Sequence, residues 1–344
     1  MSVGGAIRWS LLCAVVILVS LTAPRAQELK FNPLPLPNGS GGIGFDDLGF
    51  ARSLRRVLVP AGRSGNLDLI DPDTLEITAI GGFTKRGAFG GGHGQGVTSA
   101  DEGRGLVFAT DRDARTLNVI DPSARSIVAT APLAAGPDYV RFVATTSQLW
   151  VTEPSAERIE VFSLAPGGTS LPAHLDFISV PGGPESLVMD DSRGRAYTHL
   201  WSDTTVAIDL RTRKVVDRWK NGCKGSRGIA IDGERGFLFA GCEEGKFSVL
   251  DLRTGAQLGH ASSGNGVDII AYSPQLRHAY LPGEDSATMA VIAISAKGDV
   301  QVLATLKTAK GAHCAATDDR SNVYVCDPAR GQLLTMHDAF PASQ

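Results

Sequence analysis

Gly228-Ile229-Ala230-Ile231-Asp232, the turn Gly233-Glu234-Arg235-Gly236, Phe237-Leu238-Phe239-Ala240, then Phe247-Ser248-Val249-Leu250-Asp251 and a second turn at Leu252-Arg253-Thr254-Gly255 form the stretch that decides the fold. It reads as short apolar strands separated by polar, glycine-containing turns, with an outer strand starting at Ala256. The closing phrase, Ile or Leu followed by Asp, recurs at Ile70-Asp71, Ile120-Asp121, Ile208-Asp209 and Leu250-Asp251. The intervals are 50, 88 and 42 residues, so one unit spans 42 to 50 residues and one copy between 121 and 209 has lost its aspartate. A period of this size built from short strands marks a propeller blade.

The same pattern begins near 45, 94, 137, 184, 226, 266 and 311, which gives seven units. No segment has the 3.6-residue periodicity of a long amphipathic helix. The expected fold is therefore all-β: a seven-bladed β-propeller of four-stranded antiparallel blades. Such a ring must close, because an open end leaves an unpaired sheet edge. The last unit holds only three strands, Cys314 to Asp318, Val323 to Asp327 and Gln332 to His337. Residues 29 to 37 are expected to add the missing outer strand and latch the circle. Pro33, Pro35 and Pro37 cannot donate ladder hydrogen bonds, which an edge position tolerates.

Residues 1–26 read as a secretory signal, and 27–344 as a single propeller domain. Arg8 precedes the apolar run Leu11 to Leu21, which is shorter than the roughly 20 residues that span a bilayer, so no transmembrane anchor is expected after processing. The expected location is periplasmic or extracellular. Without residues 1–26 the chain carries 31 basic and 36 acidic side chains, a net charge near −5, and shows no basic stripe that would mark a nucleic-acid surface. A monomer is expected. Four of the five cysteines survive processing and fall as two local pairs, Cys223 with Cys242 and Cys314 with Cys326, each bracketing the first hairpin of a blade. Adjacent antiparallel strands lie within disulfide reach, so this pairing is preferred over the other two connectivities, and over four buried thiols.

The run Gly222-Cys223-Lys224-Gly225-Ser226-Arg227-Gly228-Ile229-Ala230-Ile231-Asp232, with Arg235 to Cys242, resembles a blade of the exported YVTN-type, YncE-like β-propellers. Gly264-Asn265-Gly266-Val267-Asp268 and Gly136-Pro137-Asp138 resemble that family's turn into the innermost strand. The likeness covers 45–337, and departs at Tyr197-Thr198-His199-Leu200 and Leu149-Trp150-Val151-Thr152, where a Tyr-Val-Thr-Asn-like strand would stand. The resemblance implies a fold and a compartment. It also implies, as one partner, an exported quinoprotein dehydrogenase, and it names no substrate.

Function in such a ring is sought where loops enter the innermost strands. Those positions are Asp47, His93 or Gln95, Asp138, Glu185, Arg227, Asp268 and His313. One reading is a non-catalytic ligand- or protein-binding module of the cell envelope. In it Arg227 offers a fork to a small anionic ligand, Tyr139, Trp150 and Trp201 are available as flat contact surface, and an envelope protein is the alternative partner. The bland account of these aromatics is that they fill spaces between blades. The alternative is a metal-dependent hydrolase of small lactones or esters. There Asp138, Glu185 and Asp268 with His93 or His313 hold Ca²⁺ or Zn²⁺, as in gluconolactonase-like propellers, although that group's ligand signature is absent. The loop from Gly87 to Gly96 precedes a strand, not a helix, so it is read as an interblade loop over the channel mouth instead of a phosphate cradle. No nucleophile elbow, His-Glu-x-x-His or P-loop motif is present.

Overall fold

Each Ile/Leu-Asp phrase closes a hairpin for the same chemical reason. The Asp71 carboxylate accepts from the backbone N–H groups of Asp73 and Thr74, at 2.9 and 3.2 Å. Asp121, Asp209 and Asp251 repeat this on the second and third residues after themselves. These Asx turns join the third strand of a blade to the fourth. In the sixth blade Ser295 does the same work through its hydroxyl, which accepts from Lys297 and Asp299.

The structure is a computed structural model that describes residues 1–4, 29–166 and 171–344. Seven four-stranded antiparallel sheets follow one another: blade 1 (49–80), blade 2 (97–132), blade 3 (140–179), blade 4 (188–219), blade 5 (226–262), blade 6 (271–307) and blade 7 (315–337). Blade 7 takes its fourth strand from Asn32–Pro35, which pairs antiparallel with 332–335, Asn32 opposite Thr335 and Pro35 opposite Gln332. The N-terminal latch is thus a short edge strand, where its two prolines leave no ladder bond unmade on an inner partner.

The hydrophobic core is divided into wedges between neighbouring blades. Leu58, Leu69, Val107 and Ile120 fill the space between blades 1 and 2, and Phe239, Phe247, Leu281 and Ile292 that between blades 5 and 6. The alternation of inward side chains to the two faces of each sheet is what lets one blade feed two wedges. Cys223–Cys242 and Cys314–Cys326 are both disulfide-bonded, with Cα separations of 5.3 and 5.6 Å, inside the normal range.

The signal-peptide assignment, with Cys13, falls almost wholly on residues 5–28, outside the described residues. Among the described residues no helix is long and apolar enough to cross a membrane.

Candidate functional site

The innermost strands begin at one rim of the ring, and because each second strand runs antiparallel to the first, its C-terminal end returns to that rim. Two sets of loop residues therefore converge on the axis. From the turns into innermost strands come Asp46, His93, Asp138, Tyr139, Glu185, Arg227 and Asp268, and from the ends of second strands come Arg112, Pro154 and Trp201. They line a cavity of about 280 Å³. A bulge in the pairing between Ser226 and Ile229 accompanies the Arg227 position, the usual device by which a strand redirects one side chain.

Most charged groups of this cavity are bonded to one another. Arg112 donates to Asp46 at 3.1 Å, to the Pro137 carbonyl at 2.8 Å, and to Asp138. Arg227 donates to Glu185 at 3.0 Å and to Glu243 at 3.1 Å, with its guanidinium 5.0 Å from the Trp201 ring centroid. His93 lies between Asp46 and Asp268, its ring nitrogens 3.3 and 3.8 Å from their oxygens. The Asp46 carboxylate accordingly holds His93 protonated, with its pKa raised to about 10. Burial pushes Asp46 up, but His93 and Arg112 outweigh it and leave it below the usual carboxylate range.

Glu185 is pushed to about 9, first by burial and then by Asp138 and Asp268. Asp138 rises to about 7, because burial, helped by Asp46 and Asp268, outweighs the Arg112 it faces. Both shifts have the same cause: buried carboxyls that repel one another and have too few cations beside them to offset their burial.

The positions singled out in the sequence are brought together unevenly. His93, and not Gln95, lines the cavity, carried there by the glycine-rich loop; that loop is seated against Gly44, where an added Cβ would lie 2.4 Å from the Gly92 carbonyl. Asp47 faces away from the mouth. It accepts a bidentate pair from Arg141 at 2.6 and 3.0 Å and a bond from Ser99, and it lines a second cavity on the other side of Tyr139. His313 is buried beside His93, ring centroids 5.3 Å apart, but its two ring nitrogens face the Gly311 and Phe45 carbonyls at 2.7 and 2.9 Å. Trp150 is fully buried and donates to Gln148, as a space-filling aromatic should. Trp201 does not follow the space-filling account, since it stays 58% exposed at the rim.

Of the metal-type donors at the mouth, His93, Asp268 and His313 come within 4.8 Å of one another. The trio Asp138, Glu185 and Asp268 is interleaved with Arg112 and Arg227, which already hold one oxygen each of Asp138 and Glu185. A donor set with two guanidinium groups in it suits a metal poorly.

Sequence reading overlooked Asp46 and Arg112. Asp46 adjoins Asp47, and one residue of register decides which faces the axis. Arg112 belongs to the second set of rim positions, the residue just after the second strand, which also yields Trp201 and Glu243. That position was legible from the blade period itself.

No protein-family model matches the sequence, and no curated protein matches it. Among solved structures, a chain from a crystal structure of the mitotic checkpoint complex aligns with a TM-score of 0.72 and 12% identity, over 94% of this chain and 99% of that one. A chain of Kuenenia stuttgartiensis hydrazine synthase aligns with a TM-score of 0.70 and 10% identity, over 92% and 99%. Both likenesses carry the fold alone, and with the seven closed sheets they define the class: a seven-bladed β-propeller.

Proposed function

We propose that this chain is an exported, non-catalytic binding module of the cell envelope, YncE-like in character, which holds a small polar ligand at the mouth of its channel. The observation that carries this reading is the cavity of about 280 Å³ at the axis, close in size to the smaller ligand pockets, with carboxylate oxygens left open in it and Trp201 exposed at its rim. Export is supported by the two disulfides and by the apolar run Leu11 to Leu21 behind Arg8. The absence of a nucleophile bonded to a base among the cavity residues favours binding over acyl chemistry.

The test is a thermal-shift screen of the oxidised mature protein against small polar solutes, repeated on Glu185→Gln and Asp268→Asn. A solute that raises the unfolding temperature of the parent and of neither variant supports the reading. A stabilising solute that acts equally on all three moves the site off the axis. The metal-dependent hydrolase is a second reading, favoured by the approach of His93, Asp268 and His313. Stoichiometric Ca²⁺ or Zn²⁺ retained through dialysis and lost in His93→Ala would support it over the first.

A further inference from the structure

The mouth cavity carries an excess of negative charge that the protein leaves uncompensated. Its carboxylates are Asp46, Asp138, Glu185 and Asp268, and Glu243 adds a fifth through Arg227. Against them stand Arg112, Arg227 and His93. Five potential anions meet three cations, an excess of two.

The hydrogen-bond inventory has the same sign. Arg112 occupies one oxygen of Asp138, and Arg227 one oxygen of Glu185, so each keeps an oxygen with no donor. Asp268 accepts no hydrogen bond, and the nearest cation, the His93 ring, is 3.8 Å away. Tyr139, 5% exposed, forms a wall of this cavity and of the one that Asp47 lines.

We propose that the ligand of this pocket is a small organic ammonium ion, whose N–H groups fill the open oxygens of Asp138, Glu185 and Asp268 while its carbon body rests against Trp201, Pro137 and Pro154. This rests on the mouth being a ligand site at all, and names the chemical class it takes. An ammonium group has three donors and no acceptor, the complement of what the cavity leaves open. A bare metal ion fits less well, because about 280 Å³ corresponds to roughly nine waters at ~30 Å³ each, room for a body as well as a charge. An anion would add to the excess instead of offsetting it, and would have to take Arg227 from both Glu185 and Glu243.

The test is isothermal titration of the oxidised protein with molecules of one shape and different charge: 1,4-diaminobutane, butylamine, 1-butanol and butyrate. The amines should bind, the dication more tightly than the monocation, and both should weaken with added salt. Asp268→Asn should lower the affinity by about tenfold, the scale of one charge-assisted hydrogen bond. Asp268 holds no hydrogen bond of the fold, so this variant should unfold at the parent's temperature; Glu185→Gln serves as the second test. Butyrate binding in preference to the amines, lost in Arg227→Ala, would overturn the ammonium class while leaving the mouth as the ligand site. Amine binding untouched by both carboxylate substitutions would overturn the site. No amine binding at millimolar concentration would overturn the proposal outright.

Discussion

Asp68 shows how far one residue can stand against its surroundings. It lies in the third strand of blade 1, fully buried, and neither carboxylate oxygen has a hydrogen-bond partner. Burial pushes its pKa to about 7. A folded-state value above the unfolded one, about 3.9, means that the native chain binds the extra proton, so the carboxyl's cost is absent below the unfolded value and complete above about 7. Stability should therefore fall from pH 4 to pH 7 in a component that Asp68→Asn lacks, and the variant should be more stable at pH 8 by about 1–3 kcal/mol. Urea midpoints of both proteins at pH 5 and pH 8 check this; equal differences at the two values would show that the charge of Asp68 is not the cause. By contrast, the Asp71, Asp121, Asp209 and Asp251 carboxyls are held below their usual range, chiefly by the turn N–H groups at Asp71 and Asp209, by the Ser123 hydroxyl at Asp121, and at Asp251 by Thr254 and Arg253 against the burial that opposes them. Such residues announce themselves in the sequence because their partners are two and three positions away. Asp68, whose environment is built by distant strands, gives no such signal.

At the scale of the element, the hairpin is the unit that local sequence specifies and the disulfides fasten. Cys223–Cys242 and Cys314–Cys326 fasten the connection just before the first strand to the second strand, across sequence separations of 19 and 12. Pairing at that distance was readable from the hairpin pattern, because a tight turn fixes which residues face each other. Replacing Cys314 and Cys326 together by alanine should lower the unfolding free energy by about 3 kcal/mol, and the same change at Cys223 and Cys242 by a similar amount, in the chain-entropy picture. Denaturant curves with and without reductant measure both; a parent protein indifferent to reductant would sink the expectation. The glycine-rich loop is the opposite case. Its composition marks it as a connection, but its seat comes from Gly44, Gly62 and Gly96: a Cβ on Gly62 would meet the Gly44 carbonyl at 2.3 Å, and one on Gly96 the Gly62 carbonyl at the same distance. That packing delivers His93 to the axis, and no count of residues along the chain foretells it.

At the scale of the whole molecule, closure is the decisive event. Asn32–Pro35 completes blade 7, and Arg55 ties blade 1 to the same seam through Asp319 at 3.0 Å. A chain that begins at residue 37 instead of residue 29 should expose the edge 332–337, melt at a lower temperature, and form dimers or larger species in light scattering. A truncated protein that stays monomeric with unchanged melting would show that the latch is dispensable. The sequence by itself determined the number of blades, the four-strand unit, the latch and the cysteine pairs. Each of these depends on periodicity and on partners within one hairpin, or on the need of any ring to close. The tertiary structure alone decided which charges share the axis. Asp46 instead of Asp47 faces the mouth, Arg112 joins the ring, and His313 turns both ring nitrogens to backbone carbonyls. The reason is geometric: the cavity collects one or two residues from most of the blades, far apart in the chain. A side chain's direction there is set by a single residue of register, and its charge by neighbours that only the closed circle brings near.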